Sequence, residues 1–462
     1  MSTSSRKVQG TTVIGTAVAA ALWGSQALAA VPYGPYDLTL VVSGSSAFRD
    51  QFRSELATGV CGGLANVYDF KASGTGAPDF RAYACHTPAA GTPVPNKDIL
   101  VYYRSELGSI TGYAPIQNNK LIKRLTVNNT VCPVSPVIGG ATNACAVTGW
   151  DVNHDTCASG CTADSVQLGV ADLEPGILTG AGAPVAENGN YPVDATIVAF
   201  LGGDPNGSTS NVGSVNGIAD QVFTVIANSK LGVTNLNKQT LASIFSGTYA
   251  DWSTVPKADG SGFVTTTSVP IIVCERDQGS GTRASHTIYF GLSKQCSSAP
   301  LSIAPATSAF CNAVSHECAS TGTEIACVAS ATQTGAIGYA VNQGVTAPAG
   351  TTYVAIDGKL PSNGVSTAPN IVAASGGYDY WYQATMNYSN ALQANTTGLK
   401  TLADCLVHRL NDSTNLPASS ASLMADPGGL VSTPAIPVAD PTKPVNVATR
   451  ANGSCSSPVN QN

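Results

Sequence analysis

The stretch from Cys274 to His286 (CERDQGSGTRASH) collects groups that suit binding of a small anion. Arg276 precedes a Gly-Ser-Gly-Thr turn at residues 279–282, and Arg283 follows it. Small residues let the backbone approach a ligand, serine and threonine hydroxyls donate hydrogen bonds, and an arginine can contact an oxyanion with two parallel bonds. The pattern predicts an anion-binding loop. The alternative is a strand-to-helix turn whose two arginines are solvated.

A second hydroxyl-bearing turn lies near the N-terminus. Residues 37–43 (DLTLVVS) predict a buried strand, and residues 47–56 predict an amphipathic helix. Ser45 and Ser46 lie between them, where free backbone N–H groups at a helix N-terminus attract anions. The alternative is that these serines only cap the helix. Residues 73–76 (SGTG) form a weaker candidate that could equally be an ordinary loop.

Asp172 follows a short apolar strand predicted for Val166 to Val170. A carboxylate beside a bound anion can accept the proton of monohydrogen phosphate, whereas fully ionised sulfate offers no proton and is repelled. Asp172 is therefore a candidate for the residue that distinguishes a protonated anion from a fully ionised one. The alternative is an exposed acidic turn before Pro175.

Strands and helices alternate along the chain, which predicts an α/β fold with an open, mostly parallel sheet. In such sheets, ligands bind at the carboxyl ends of strands, close to helix N-termini. Both Gly/Ser turns occupy that position. The further predicted strands cover residues 98–103, 221–227, 269–274, 334–341 and 352–356. The further predicted helices are one capped by residues 234–237 that runs through Phe245, one at residues 284–292 and one at residues 399–410.

Bulk composition favours an exported protein of two domains. The chain has 462 residues, only 11% of them charged against roughly 25% in average globular proteins, and a net charge of −6. It has no basic face for nucleic acid. Residues 1–29 read as a secretory signal, with Arg6 and Lys7 before an apolar run and a small-x-small cleavage site at its end. The apolar run is too short to span a membrane, so we expect no transmembrane segment and a periplasmic or extracellular location.

Thirteen cysteines in the exported part predict disulfides. His154, Cys157 and Cys161 could instead contribute to a zinc site, but export favours oxidation, and we expect neither metal nor cofactor. Because the count is odd, at least one thiol is unpaired in a monomer, and Cys274 is the candidate. The plausible local pairs are Cys132/Cys145, Cys157/Cys161 and Cys311/Cys318.

Three segments, one of which includes the Gly-Ser-Gly-Thr loop, occur in the order typical of a known family. They are VTNLNKQTLASIFSGTYADWSTV from residue 233, VPIIVCERDQGSGTR from residue 269 and TGAIGYAV from residue 334. Together they resemble the phosphate-binding receptors of bacterial ABC transporters, which are type II periplasmic binding proteins. The resemblance covers about 110 residues. SGSSAFRD and GVADLEP look like family elements more loosely.

The resemblance implies two α/β lobes joined by two crossing strands, with the ligand in the cleft between them. Lobe 1 would comprise residues 30–222 and 341–462, with a disulfide-rich insertion at about 128–165, and lobe 2 would comprise residues 223–340. Many of these receptors have an aspartate where this chain has Gln278, which leaves a related oxyanion or an organic phosphate open. The predicted ligand-binding residues are Ser45, Ser46, Asp172, Arg276, Gln278, Gly279, Ser280, Gly281 and Thr282.

The function that the resemblance implies is that of an exported, non-enzymatic receptor for phosphate or a related oxyanion, with an ABC transporter permease as its partner. Two alternatives stay open. One is an extracellular or surface matrix or adhesion protein that retains the binding fold. The other is a secreted phosphatase-like enzyme, although the five histidines are scattered and the sequence shows no paired metal-carboxylate cluster or nucleophile elbow.

Overall fold

A computed structural model provides the coordinates of the chain. The signal predicted for residues 1–29, together with Gln278 and Cys311, lies outside the residues that the structure describes. Those residues are 31–74, 77–133, 138–139, 142–152, 154–173, 199, 202, 211–277, 279–290, 317–318, 320–342, 346–361, 378–411, 423–425, 448–449 and 459–460.

The described residues combine strands and helices, which confirms the α/β class. The strands are β1 (Leu38–Gly44), β2 (Tyr68–Ser73), β3 (Phe80–His86), β4 (Asp98–Arg104), β5 (Leu121–Leu125), β6 (Thr142–Ala146), β7 (Cys161–Ser165), β8 (Leu168–Ala171), β9 (Val212–Asn228), β10 (Asn235–Leu236), β11 (Ile272–Arg276), β12 (Glu317–Cys318), β13 (Ala336–Val341), β14 (Thr351–Ile356), β15 (Trp381–Ser389), β16 (Leu423–Ala425), β17 (Ala448–Thr449) and β18 (Val459–Asn460). The α-helices are α1 (Arg49–Gly59), α2 (Ala114–Gln117), α3 (Lys238–Phe245), α4 (Gly281–Tyr289), α5 (Thr321–Val328), α6 (Asn390–Gln393) and α7 (Leu399–Asn411). Short 3-10 helices occupy Leu64–Asn66, Gly108–Gly112, Ser229–Leu231 and Trp252–Thr254.

One large mixed sheet organises the described residues, in the order β12-β11-β13-β9-β15-β8-β1-β4-β3-β2-β6. β1 lies parallel to both β4 and β8, and β11 lies parallel to both β12 and β13. Each of these two parallel groups ends at one of the predicted binding turns. The carboxyl ends of β1, β8 and β11 therefore carry the candidate site.

Long strand β9 links the two parallel groups and makes the prediction of a mostly parallel sheet wrong. Residues 212–222 of β9 pair antiparallel with β15, and residues 223–228 pair antiparallel with β13 and β14. β15 is also antiparallel to β8. β3 is likewise antiparallel to both β2 and β4, so the antiparallel pairs are not confined to β9 and β15. The lobe boundaries given above stay a prediction.

Local burial explains why the sequence patterns predicted strands such as β1 and the second half of β9. Six of the seven residues of β1 are buried, and β9 is buried without interruption from Gly217 to Asn228. Strands covered on both faces read as continuous apolar runs. No helix in the described ranges is long and apolar enough to cross a membrane.

Helix α4 begins at Gly281, three residues earlier than predicted. The Ser280 hydroxyl accepts a hydrogen bond from the N–H of Arg283 at 3.3 Å, and the Ser280 carbonyl accepts one from Ala284 at 3.0 Å. Ser280 therefore acts as the helix cap, because its oxygen satisfies an N–H that has no intrahelical partner. The Gly-Ser-Gly-Thr turn thus includes the first helical turn itself.

Two of the disulfides predicted from local spacing are confirmed. Cys132 bonds to Cys145, and Cys157 bonds to Cys161. Because Cys157 and Cys161 are bonded to each other, two of the three residues considered for a zinc site cannot act as thiolate ligands. Cys318 is also disulfide-bonded, while its expected partner lies outside the described residues.

The prediction that Cys274 is unpaired is wrong. Cys274 on β11 bonds to Cys327 on α5, 53 positions later, because α5 packs directly over the strand. An apolar run indicated burial but could not show which helix covers it. Among the described residues the free thiol belongs to Cys405, and a further disulfide joins Cys61 to Cys85.

Candidate functional site

Asp172 lies at the centre of the candidate site, one residue beyond the end of β8. It is 3% exposed. The Ser45 hydroxyl donates a hydrogen bond to its Oδ1, and the Thr282 hydroxyl donates to its Oδ2 at 3.5 Å. Its own N–H donates to the Ser109 hydroxyl at 3.0 Å. The structure therefore brings three predicted residues together and adds a fourth.

Burial raises the pKa of Asp172 above the ordinary aspartate value. Hydrogen bonds from Ser45, Ser109 and Thr282 and the positive charge of Arg276 oppose this effect without cancelling it. The carboxyl group therefore gains a proton more readily than an exposed aspartate does. The alternative of an exposed acidic turn is wrong, because Asp172 is buried.

The Ser45 turn combines two functions that the sequence left as alternatives. Besides donating to Asp172, the Ser45 oxygen accepts hydrogen bonds from the N–H groups of Ala47 at 3.1 Å and Phe48 at 3.2 Å. The serine thus caps the turn into α1 and also contacts the acid. Ser46 is half-buried in the same turn.

Gly44 is required for this turn by both conformation and space. Its φ is +133°, and a Cβ there would lie 1.8 Å from the Val170 carbonyl oxygen. That carbonyl accepts the Ser45 N–H at 2.8 Å. Close approach of β1 to β8 therefore sets the position of Ser45.

Glycines in the second loop allow it to reach Asp172. A Cβ on Gly281 would lie 2.3 Å from the Ser109 oxygen and 2.9 Å from Oδ2 of Asp172. Gly279 has a φ of +87°, which favours glycine. Ser280 is 1% exposed, and its N–H donates to the Asp277 carbonyl at 3.3 Å. The Gly-Ser-Gly-Thr loop is thus buried against the acid and not exposed to solvent.

Arg276 is buried beside this loop. Its Nε donates to the Cys318 carbonyl and its Nη1 donates to the Thr321 hydroxyl, both at 3.1 Å, while Nη2 lies 3.7 Å from Asp277 Oδ1. These contacts hold the guanidinium in a fixed orientation. The positive charge of Arg276 acts to lower the pKa of Asp172. The guanidinium is therefore close enough to Asp172 to attract an anion bound there.

Arg283 supports the loop from behind. Its Nη1 donates to the Arg276 carbonyl at 2.9 Å, and its Nη2 lies 3.3 Å from Oε2 of Glu275. Both arginines are at least 95% buried. The alternative in which the two arginines are solvated is therefore wrong.

Sequence reasoning missed the 3-10 helix Gly108–Gly112, which supplies Ser109. The Ile110 N–H donates to the Gly279 carbonyl at 3.0 Å, so this helix is hydrogen-bonded to the second loop. Residues 108–112 (GSITG) follow the strand predicted for residues 98–103. A predicted strand followed by a Gly/Ser turn is also the pattern that identified Ser45. The same pattern in the sequence could therefore have identified Ser109.

No group of three or more His, Cys, Asp and Glu residues in the described part of the chain is arranged to hold a metal ion. The site consists instead of hydroxyls, backbone N–H groups at the starts of α1 and α4, one buried acid and one buried arginine. First-turn N–H groups of a helix have no intrahelical acceptor and carry the positive end of the helix dipole. This set of groups can bind an oxyanion and hold or receive a proton at Asp172.

Residues 218–408 match the family described as the PBP superfamily domain. The three segments at residues 233–255, 269–283 and 334–341 all fall within that range. The family match therefore agrees with the resemblance to the periplasmic binding proteins over residues 218–408.

Solved structures with a similar arrangement include three from bacteria. One is from Clostridium perfringens and is described as a phosphate ABC transporter substrate-binding protein with bound phosphate; it has 15% identity and a TM-score of 0.38, over 79% of this chain and 91% of that chain. A phosphate-binding protein from Stenotrophomonas maltophilia has 13% identity and a TM-score of 0.39, over 81% and 84%. An ABC-type phosphate transport receptor from Vibrio cholerae has 18% identity and a TM-score of 0.28, over 42% and 66%. No curated protein matches the chain at a significant level.

Proposed function

We propose that this chain, whose residues 218–408 match the PBP superfamily domain, is an exported, non-enzymatic binding protein for phosphate. The observation that carries the proposal is the convergence of three hydroxyls on buried Asp172: those of Ser45 and Thr282 donate to its carboxyl group, and that of Ser109 accepts its backbone N–H. These three hydroxyls come from loops that are far apart in the sequence. Their meeting point is the proposed anion site.

Neutral donors dominate this site, which suits an anion that has lost its water. A dehydrated oxyanion needs many hydrogen bonds to replace those lost with solvent. The Ser45 and Ser280 turns contribute small side chains, and the starts of α1 and α4 contribute N–H groups and dipole. Arg276 contributes the charge. Ser46 and Gln278 complete the proposed set of ligands.

Asp172 selects phosphate in this proposal. Monohydrogen phosphate carries a proton that the carboxylate accepts, whereas sulfate at neutral pH carries none and meets unrelieved repulsion. The burial that raises the pKa of Asp172 also strengthens this repulsion, because charges interact more strongly away from water. One acid therefore distinguishes two anions of similar size.

Delivery to a transporter is the proposed role of the bound phosphate. The chain would act in the periplasm after removal of residues 1–29 and would present its ligand to an ABC transporter permease. Residues 30–222 with 341–462 would form one lobe and residues 223–340 the other. The ligand would be enclosed where the Ser45 and Gly281 loops meet.

Calorimetric titration of the purified chain with phosphate, sulfate and molybdate tests the proposal. We expect phosphate to bind and Arg276→Ala to weaken it at least tenfold, since the variant removes the site's positive charge. Arg124→Ala is the matched control, because Arg124 pairs with Asp164 on the separate β5–β7 ribbon. Absence of binding to all three oxyanions would overturn the proposal and favour the matrix or adhesion alternative. Phosphate-ester hydrolysis that depends on a single residue of the site would favour the enzyme alternative.

A further inference from the structure

A cavity of about 680 Å³ lies beside the anion site. Ligand pockets for molecules of drug size typically measure about 300–1,000 Å³, so inorganic phosphate alone does not need a space this large. The polar and aromatic residues that line it include Arg49, Lys71, Asp79, Arg81, Glu106 and Trp150.

The cavity and the anion site share three stretches of chain. Leu107 lines the cavity, and its carbonyl oxygen would lie 3.0 Å from a Cβ on Gly279. Asp277 lines the cavity and accepts the N–H of Ser280 on its carbonyl. Ser320 also lines it, next to the Thr321 that holds Arg276. A ligand whose phosphate occupies the anion site is therefore close enough to extend into the cavity.

Two cations lie opposite each other on the cavity wall. Lys71 of β2 pairs in register with Arg81 of β3, an arrangement that is unfavourable without a counter-charge or a polar ligand. Arg81 lies 3.8 Å from Asp79 Oδ1 and 4.0 Å from Asp69 Oδ1, so two carboxylates balance its charge. Lys71 has no ion-pair partner within the described ranges, and its side chain is exposed. Lys71 is thus available to donate hydrogen bonds to a ligand.

Glu106 gives the cavity a second kind of donor. Burial raises its pKa to about 8, although Arg104 at 3.5 Å opposes the effect. At neutral pH the carboxyl group is mostly protonated and can donate a hydrogen bond. Trp150, whose ring packs edge-on against Phe80 at 4.8 Å, adds an apolar wall. Donors, acceptors and an aromatic surface together suit a compact group with many hydroxyls and C–H faces.

We propose that the cavity holds the organic part of a phosphate monoester with several hydroxyl groups, such as a sugar phosphate, while the Ser45–Asp172–Thr282 site holds its phosphate in the singly protonated form, whose remaining proton Asp172 accepts. This inference rests on the proposed function and narrows its ligand. The hydroxyls of the organic group contact Lys71, Arg81 and Glu106, and its C–H groups contact Trp150.

Paired calorimetric titrations at about pH 6, where a large fraction of a phosphate monoester keeps its proton, with inorganic phosphate and with glucose 6-phosphate or ribose 5-phosphate test the inference. We expect the sugar phosphates to bind at least tenfold more tightly than inorganic phosphate, and to compete with it. Trp150→Ala and Lys71→Ala should each weaken sugar-phosphate binding at least fivefold and change phosphate binding less than twofold. Retained phosphate binding shows in the same experiment that each variant is folded.

The outcomes separate this inference from the function on which it rests. If inorganic phosphate binds and neither sugar phosphate competes, the inference fails and the proposed function stands. If the sugar phosphates bind but both variants leave their affinity unchanged, the cavity is not their site and the inference also fails. If no phosphate compound binds, the proposed function fails.

Discussion

The Ser45 hydroxyl donates a hydrogen bond to Oδ1 of Asp172, a residue 127 positions later in the chain. The two residues follow β1 and β8, which are adjacent parallel strands. Because parallel neighbours end at the same edge of a sheet, turns that are distant in sequence meet there. Thr282 holds the other oxygen of the same carboxyl from the second loop. The orientation of the acid therefore depends on both binding turns.

Selectivity against sulfate should depend on Asp172. We expect Asp172→Asn to bind sulfate at least tenfold more tightly than the parent and to keep phosphate binding within about tenfold, because the amide neither repels the anion nor requires its proton. Titration calorimetry at pH 7 with both anions measures this. Asp164→Asn, at the paired surface site on β7, is the control. Unchanged sulfate affinity in Asp172→Asn would contradict the proton-reading role.

Stability should depend on pH through Glu106. Its folded-state pKa of about 8 exceeds the ordinary value of 4.5, so the folded chain keeps a proton that the unfolded chain loses. The free energy of unfolding therefore falls as pH rises from about 4.5 to 8. Because glutamine does not titrate, Glu106→Gln should remove this decrease in the free energy of unfolding. We expect the variant to match the parent near pH 5 and to exceed it by roughly 1–3 kcal/mol at pH 8.5, since one pKa unit corresponds to about 1.4 kcal/mol.

Urea unfolding of both proteins at the two pH values measures this difference. Glu106→Ala is a poor substitute for the glutamine variant, because it adds a packing defect. Equal stability of Glu106→Gln and the parent at both pH values would show that the carboxyl is not buried as the structure has it.

The contact between the loop at residues 279–282 and Asp172 should be disrupted when Gly281 is replaced by a residue with a Cβ. A Cβ there would overlap Ser109 Oγ at 2.3 Å, so we expect Gly281→Ala to weaken phosphate binding at least tenfold and to destabilise the chain by about 1–3 kcal/mol. Gly322→Ala is the matched control: its nearest neighbour would be Ser320 Oγ at 3.8 Å, and alanine is favoured by about 1 kcal/mol inside a helix. Calorimetry and thermal unfolding of the two variants check this; equal binding by both would contradict the loop geometry.

The disulfide between Cys274 and Cys327 should stabilise the loop that follows β11. It closes a span of 53 positions, and disulfides of this kind contribute typically about 2–4 kcal/mol. We expect the double variant Cys274→Ala, Cys327→Ala to lose an amount in this range in urea unfolding. Cys405→Ala removes the free thiol and should lose less than half as much. Equal losses would argue against the Cys274–Cys327 pairing.

Local patterns predicted the elements that carry the site. The strand at residues 37–43 and the helix that follows it were visible because burial along one strand and one helix face leaves a periodic signal. Asp172 and the Gly281 loop followed from the same logic and from the family motifs. The turn with Ser109 carried that signal as well.

Long-range contacts were not predictable in this way. The antiparallel course of β9 and β15, the pairing of Cys274 with α5 and the partners of Arg276 depend on which distant elements meet. A single sequence contains no local record of those encounters. The early start of α4 was missed for a different reason, since Ser280 can serve equally as a loop residue and as a helix cap.

The measurement that tests the central claim most directly is titration of the intact chain with phosphate at pH 7, beside the Thr282→Ala variant. Thr282→Ala removes the hydroxyl that contacts Asp172 Oδ2 and leaves the backbone N–H groups of α4 in place. We predict one binding site with a Kd of about 1 µM or tighter for the intact chain, and binding at least fivefold weaker for the variant. No saturable heat with phosphate, or equal affinity of the two proteins, would contradict a phosphate site built around Asp172.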